Sequence, residues 1–437
     1  MKAKLALCAF AMSLMVITGA QAQPARTSDQ DISDAYIYLL GRLMVTRQQQ
    51  LDFREGMKWN ELTHRKPGAV DWPNPNLDVA YSEAWVAVDE QSCTLVTVPK
   101  VEGRYYTVQF LNGWGETLAN INERLFPTRP FGEFAVCLQD AQVALPAHAV
   151  RIDLPVKHAR VLARVELGTD WDQAVALQHQ FRFKATGTPR LPDIPKTPIF
   201  ELEQLPGVEA FEAAEAALDS EPDINPGLER LQANTRAIAT AMKDPAERAR
   251  IDHVIRTRAF ADFARAGPPI GHGKIRHGWA RPAAAGAYNI DYLARTLVNY
   301  GGIWANILPE VLYYRASVDG TGAPLNGNHV YTMTFTKEEL PAQFATYFWS
   351  VIAVDTTHFR VLPNALHRFL LNNQSQLAYG QDGSLTLYFA DQKPADAPEG
   401  NWLPTPKGAV YRLTFRYYGP TEGVANATYY PPALVKR

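Results

Sequence analysis

Tyr411-Arg412-Leu413-Thr414-Phe415-Arg416-Tyr417-Tyr418 alternates with a period of two. On a strand, successive side chains point to opposite faces, so Tyr411, Leu413, Phe415 and Tyr417 share one face and Arg412, Thr414, Arg416 and Tyr418 the other. The first face suits a core. The second carries two guanidiniums flanking a hydroxyl, an array that can receive a carboxylate, sulfate or phosphate. The commoner fate of such a face is a solvated exterior with each Arg paired to a nearby Asp or Glu.

Working outward, His329, Tyr331, Met333 and Phe335 alternate with Val330, Thr332 and Thr334, and Ser384 to Ala390 is a further strand, with turns at Gln381-Asp382-Gly383 and Gly419-Pro420. The last 110 or so residues thus read as one all-β unit. A second set of strand-like runs lies at Leu77–Val88, Thr94–Val98, Arg104–Leu111, Val150–Leu154 and Ala159–Glu166. Runs at this spacing argue for a β-sandwich or barrel.

Between the two units the pattern is helical. Asn225-Pro226 is expected to open a helix running to about Lys243, and Asp244-Pro245-Ala246-Glu247 to open a second that ends at Gly267-Pro268-Pro269. Tyr288–Leu297 and Ile303–Tyr314 read as two helical pieces joined through Gly301-Gly302, and Leu191–Pro206 as an extended crossing segment. Ahead of the first β unit, Ile32, Ala35, Tyr36, Leu39, Leu40, Leu43 and Met44 mark one face of an amphipathic helix.

Lys2 and Lys4, the apolar run Leu5 to Thr18, and Ala20-Gln21-Ala22 form a signal-peptide pattern with cleavage expected after Ala22. The run falls short of the roughly 20 apolar residues needed to cross a bilayer. A periplasmic or secreted product is expected. Cys8 leaves with the signal, while Cys93 and Cys137 remain in an oxidising compartment, either bridged or as two buried thiols. With 437 residues, 46% hydrophobic and 20% charged at a net charge of −2, the chain is a globular protein of two or three domains with no basic stripe for nucleic acid. The expected organisation is a signal peptide at 1–22, a tether and helix at 23–55, a β-sandwich at 56–170, a helical connection at 171–315 and a second β unit at 316–437.

Catalytic signatures are absent: there is no G-x-S-x-G elbow, P-loop, His-Glu-x-x-His or pair of Cys-x-x-Cys. His272 and His277 beside Arg276 lack a third metal ligand in the sequence, so neither metal nor cofactor is expected. Arg104 with Tyr105 and Tyr106 repeats the Arg/Tyr chemistry of the opening stretch. So does Tyr292 with Arg295, where an ion pair between Asp291 and Arg295 within one helix is the plain explanation. Trp349 and Trp402 stand beside turn residues, where a tryptophan either stacks on a ligand ring or plugs a sandwich end.

Pro75-Asn76-Leu77-Asp78-Val79-Ala80-Tyr81-Ser82 followed by Gly103-Arg104-Tyr105-Tyr106 resembles the N-terminal module of bacterial chains with domain of unknown function 1254. Tyr347-Phe348-Trp349-Ser350, His367-Arg368-Phe369, Asp382-Gly383-Ser384-Leu385, Asn401-Trp402-Leu403-Pro404 and Arg416-Tyr417-Tyr418-Gly419-Pro420, with the closing Tyr430-Pro431-Pro432, are similar to its partner, domain of unknown function 1214. The resemblance implies an α+β, mainly β chain: an immunoglobulin-like sandwich, a helical middle and a C-terminal jelly roll. One departure stands out. Where the family has an Arg-Thr-Thr-Gly-like turn after the third strand, this chain reads Asn122-Glu123-Arg124-Leu125-Phe126-Pro127-Thr128-Arg129-Pro130.

Three functions are compatible with these residues. A hydrolase would use a pocket between the β modules, with Asp78 as acid or base, Tyr81 assisting and Arg104 or Arg416 stabilising negative charge. A non-catalytic binder would hold a small molecule through Trp349, Trp402, Tyr292, Arg295, Arg416 and Tyr418. An envelope component would use the same residues to lock its domains together. The expected partner is a small-molecule ligand or substrate, with no nucleic acid and no stable membrane insertion; oligomeric state leaves no mark in the sequence.

Overall fold

A computed structural model describes residues 27–68 and 73–437. The signal-peptide pattern lies outside these residues. Helices run over α1 (Asp29–Arg54), α2 (Trp171–Gln178), α3 (Ala214–Ser220), α4 (Glu229–Ala241), α5 (Pro245–Val254), α6 (Phe260–Ala266), α7 (Tyr292–Gly302) and α8 (Glu422–Ala425). The strands of the N-terminal part are β1 (Thr63–His64), β2 (Val79–Ala87), β3 (Thr94–Val98), β4 (Tyr106–Leu111), β5 (Thr117–Ile121), β6 (Gly132–Leu138), β7 (Val150–Leu154), β8 (His158–Glu166) and β9 (Arg182–Ala185). Those of the C-terminal part are β10 (Lys274–Arg276), β11 (Trp279–Arg281), β12 (Val311–Ala316), β13 (Tyr331–Phe335), β14 (Trp349–Asp355), β15 (Leu370–Asn372), β16 (Leu385–Ala390), β17 (Trp402–Pro404), β18 (Tyr411–Tyr418) and β19 (Val435–Lys436).

In the N-terminal part a five-stranded sheet, β1-β2-β8-β4-β5, and a four-stranded sheet, β7-β6-β3-β9, share one core, in which Val86, Val108 and Val161 meet Val96, Phe134 and Val136. In the C-terminal part a six-stranded sheet, β10-β11-β12-β18-β14-β15, and a four-stranded sheet, β17-β16-β13-β19, enclose a second core. Tyr411, Leu413, Phe415 and Tyr417 all lie in it, as the alternation of β18 requires. The chain is therefore α+β, and most strand pairs are antiparallel.

The helical parts differ from the sequence expectation in three places. α4 starts at Glu229 and not at Asn225, because the Asn225 amide is spent on the carboxylates of Glu116 and Asp223 and Gly227 turns with φ 96°. The helical piece expected over Ile303–Tyr314 is a short linker followed by strand β12. Ile303 (φ 29°) and Trp304 (φ 55°) break the helix, and Val311–Ala316 finds a full antiparallel partner in β18. Finally, α1 is not amphipathic in the assembled fold. Besides the expected stripe, Ser33, Tyr38, Gly41, Arg42, Val45, Thr46 and Asp52 are also buried, because α3 to α7 and the N-terminal sheet wrap it. At Gly41 a Cβ would sit 2.5 Å from Thr296 Oγ1, so α7 can approach α1 this closely only across a glycine. Asp244, as expected, caps α5 by accepting from the amides of Ala246 and Glu247.

Buried ion pairs join the helices to the N-terminal sheets. Arg295, wholly buried on α7, donates to Glu116 (3.2 Å) and Asp223 (2.9 Å) and lies 4.4 Å from the Trp114 ring centroid. The expected pair with Asp291 does not form, since Asp291 caps α7 and accepts at the Ala294 amide. His158 meets Glu221 at 2.9 Å, and Arg160 meets Glu83 at 2.7 Å and Asp52 at 3.5 Å.

Two stability predictions follow from these cross-links. Arg295→Met strands two buried carboxylates and should lower the unfolding free energy by about 3 to 5 kcal/mol, read from urea denaturation. Cys93, immediately before β3, is bridged to Cys137 on the adjacent strand β6, with Cα atoms 4.4 Å apart. Replacing both by Ser should reduce stability by about 2 to 4 kcal/mol, and wild type treated with reductant should lose a similar amount.

Candidate functional site

One cavity lies where the two β parts and the end of α7 meet, and it holds about 160 Å³ of water-accessible space. The N-terminal wall is the outer face of β2 and β8. The register Tyr81↔Arg164 and Glu83↔Leu162 puts Tyr81, Glu83, Leu162 and Arg164 on that wall, with Arg160 beyond. The C-terminal wall is the outer face of β12 and β18, where Tyr313↔Arg416 and Arg315↔Thr414 are cross-strand pairs. The loop Pro73–Asn76 and the segment Val298–Ala305 close the sides.

The face of β18 expected to be solvated is therefore largely enclosed: Thr414 and Arg416 are each 1% exposed. Arg416 donates through Nη2 to the carbonyls of Asn74 (2.8 Å) and Pro75 (3.0 Å), which ties the N-terminal loop to the C-terminal sheet. Thr414 Oγ1 donates to Asn74 Oδ1 at 2.8 Å. Arg164 donates to Gln109 Oε1 (2.6 Å), Asn306 Oδ1 (3.2 Å) and the Trp304 carbonyl (3.2 Å), and its guanidinium carbon is 5.3 Å from the Tyr81 ring centroid. None of these acceptors is a carboxylate.

Arg315 stands apart. Among the described residues it has neither a hydrogen bond nor an ion pair, while Arg412 and Arg416 are its charged neighbours. Burial, with the repulsion of those two cations, pulls its pKa down to about 10, so it is charged at neutral pH. By contrast, the lining carboxylate Glu83 is held by Arg160 (2.7 Å) and Arg65 (3.1 Å).

Of the residues singled out in the sequence, Tyr81 and Arg416 line the cavity. Asp78 is buried just outside the lining, where its Oδ1 accepts from Asn372 Nδ2 at 3.0 Å. Burial pushes its carboxyl above the usual range, against the opposing effects of Ser350, Arg416 and Asn372. Tyr418, wholly buried, stacks on Phe348 at 3.9 Å and meets Tyr105 edge-on at 5.2 Å between the two parts. Arg104 lies elsewhere, donating to the carbonyls of Glu166 (3.0 Å) and Leu167 (2.8 Å).

The remaining four residues are not brought to the cavity. Trp349 stacks on Phe415 at 5.3 Å inside the C-terminal core, and Trp402 donates to the Ala390 carbonyl at 2.9 Å. Both plug the fold. Tyr292 packs edge-on against Tyr38 at 6.2 Å, and Arg295 belongs to the ion-pair network of α7. His272 pairs with Asp291 at 3.0 Å, and no group of three or more His, Cys, Asp or Glu fit to hold a metal occurs among the described residues.

Arg315, Arg164, Tyr313 and Trp304 carry the cavity but were not singled out in the sequence. The signal was there: His158–Glu166 and Val311–Ala316 set Arg on the same strand face as Leu or Tyr, as Tyr411–Tyr418 does. Arg124, in the departing turn, is equally informative. It grips the buried Glu310 through Nε (2.9 Å) and Nη2 (2.7 Å), Tyr105 Oη adds a bond at 3.1 Å, and together they lock the two β parts beside the cavity.

Because the folded-state pKa of Asp78 is raised, its contribution to stability is fully present below the unfolded-state value and is lost as pH rises through the raised value. Asp78→Asn should therefore melt increasingly above the wild type as pH goes from about 4 to 7, measured as the difference in Tm at each pH.

No curated protein matches the chain. A crystal structure of the VPA0106 protein from Vibrio parahaemolyticus shares the fold, with a TM-score of 0.64, 19% identity, and coverage of 94% of this chain and 100% of that one. A putative uncharacterized protein from Burkholderia cenocepacia aligns with a TM-score of 0.46 and 15% identity over 91% of this chain and 86% of its own. The protein of unknown function DUF1254 matches residues 59–185, which hold the β2 and β8 wall, and the protein of unknown function DUF1214 matches residues 310–422, which hold the β12 and β18 wall. The cavity thus lies between two matched modules, and the chain carries a DUF1254 module followed by a DUF1214 module.

Proposed function

We propose that this protein binds a small anionic molecule in the cavity between its two β modules. The observation that carries the reading is Arg315, a charged guanidinium on the cavity wall with no counter-ion among the described residues. Arg315 is half-buried, its Nε is enclosed without a partner, and an acceptor-only group such as a carboxylate or phosphate supplies the missing counter-ion. Arg164 and Arg416 donate to neutral acceptors alone, Nε of both and Nη1 of Arg416 are buried without a partner, and neither forms an ion pair on the adjoining walls.

Hydrolysis of an anionic substrate would use the same cavity, with Tyr81 on its wall. Binding is favoured because the carboxylates at hand are engaged: Glu83 between two guanidiniums, and Asp78 outside the lining. A purely structural envelope role leaves Arg315 without a reason. We read the N-terminal sheet pair as an immunoglobulin-like sandwich, the C-terminal pair as a jelly roll, and the mature chain as periplasmic or secreted. The Cys93–Cys137 bridge supports that location, since such cross-links persist in oxidising compartments. No helix among the described residues is long and apolar enough to cross a membrane.

Thermal denaturation at low ionic strength tests the reading. Small carboxylates and phosphates should raise the Tm of the wild type, matched neutral amides should not, and Arg315→Met should abolish the anion-induced shift while folding at least as stably. A wide anion panel with no shift would remove the proposal. Turnover of chromogenic esters, amides or glycosides that disappears in Tyr81→Phe would replace binding by hydrolysis.

A further inference from the structure

We infer that the ligand is a carboxylate carried on a compact apolar body about the size of a benzene ring, an inference that rests on the anion-binding reading above. The lining is mixed. Arg315, Arg416 and Tyr313 project from the C-terminal sheet and Glu83, Arg160 and Arg164 from β2 and β8, while Leu162, Ile270, Val298, Ile303 and Trp304 supply apolar surface between them. An inorganic anion would meet the guanidiniums and leave this apolar surface facing water. A guanidinium fork matches the two oxygens of one carboxylate, and the apolar wall is then covered by whatever carries that carboxylate.

Size narrows the class. The cavity volume of about 160 Å³ is close to the roughly 150 Å³ of an apolar engineered cavity that takes up benzene. A single aromatic or alicyclic ring, or a branched short acyl chain, fills that space, whereas a long acyl chain or a sugar chain does not.

The backbone is shaped for this wall. Ile303 and Trp304 are consecutive non-glycine residues at φ 29° and 55°, and for a β-branched residue such a φ is a genuine outlier. Strain of this kind persists where the surrounding structure over-determines it, and it clusters at ligand sites. Here it ends α7 and turns Ile303 and Trp304 onto the cavity, and the indole Nε1 of Trp304 is itself buried without a partner.

Calorimetric titration of the full chain with benzoate, cyclohexanecarboxylate, benzamide and inorganic phosphate tests the inference. Benzoate and cyclohexanecarboxylate should bind, with benzamide and phosphate weaker by roughly tenfold or more. Arg315→Met should weaken benzoate by a similar factor. Val298→Phe, which fills the apolar side, should lose benzoate while circular dichroism shows an intact fold. Phosphate binding as tightly as benzoate through Arg315 would overturn the apolar body and leave the anion reading standing. Benzoate and benzamide binding equally, and indifferently to Arg315→Met, would overturn both. If none of the four probes binds while a larger anion still raises the Tm through Arg315, the size assignment fails and the anion reading survives.

Discussion

A guanidinium buried at neutral pH keeps its charge, so each arginine taken out of water in this fold has to find acceptors or remain a source of unbalanced charge. This constraint sorts the interior. Arg124, Arg160 and Arg295 find carboxylates, and in doing so they fasten elements distant in the chain: Arg124 holds Glu310 across the two β parts, and Arg295 holds Glu116 and Asp223 around α7. Arg164 and Arg416 find amide and carbonyl oxygens for part of their donors, with no ion pair, and keep buried N–H groups without a partner. Arg315, half-buried, finds no partner among the described residues. Arg42 and Arg281 also rely on neutral acceptors and lie outside the cavity lining, whereas Arg164, Arg315 and Arg416 come together on it.

The cavity depends on that scaffold more than on either β part alone. Its two facing sheets come from different parts of the chain, and their separation is set by contacts around its rim: Arg124 with Glu310, Asn372 with Asp78, Gln374 with Glu166, and Asn74 with Thr414. α7 closes one side, and its own position follows from its packing on α1 across Gly41 and from the Arg295 network. The fold likeness to the Vibrio protein extends over 94% of the chain, so both β parts and the helical region between them belong to the shared architecture.

Legibility in the sequence tracked the range of the interaction. The alternation of Tyr411–Tyr418, the Asp244 cap and the extended Leu191–Pro206 segment are local, and each stands in the structure where its pattern puts it. Failures came where a distant partner overrode the local signal. Asn225 looked like a cap until Glu116 claimed its amide, and Arg295 looked like the partner of Asp291 until Asp223 and Glu116 approached from elsewhere. Ile303–Tyr314 reads as a helical piece, yet Val311, Tyr313 and Tyr314 suit a strand and β18 offers Val311–Ala316 a complete ladder of hydrogen bonds. Trp349 and Trp402 followed the commoner use of tryptophan as filler.

By itself the sequence determined which residues face which side of each strand, because the period of two is a property of the backbone, and it determined the family through short motifs held in order. It could not decide which polar strand face would meet water. That depended on the second sheet: the outer faces of β2 and β8 and of β12 and β18 are each ordinary until they are brought opposite one another. Only the tertiary structure did this, and with it turned arginines that would have been solvated into a cavity of uncompensated charge, since desolvation and counter-ion supply depend on everything that surrounds a group and on no local pattern.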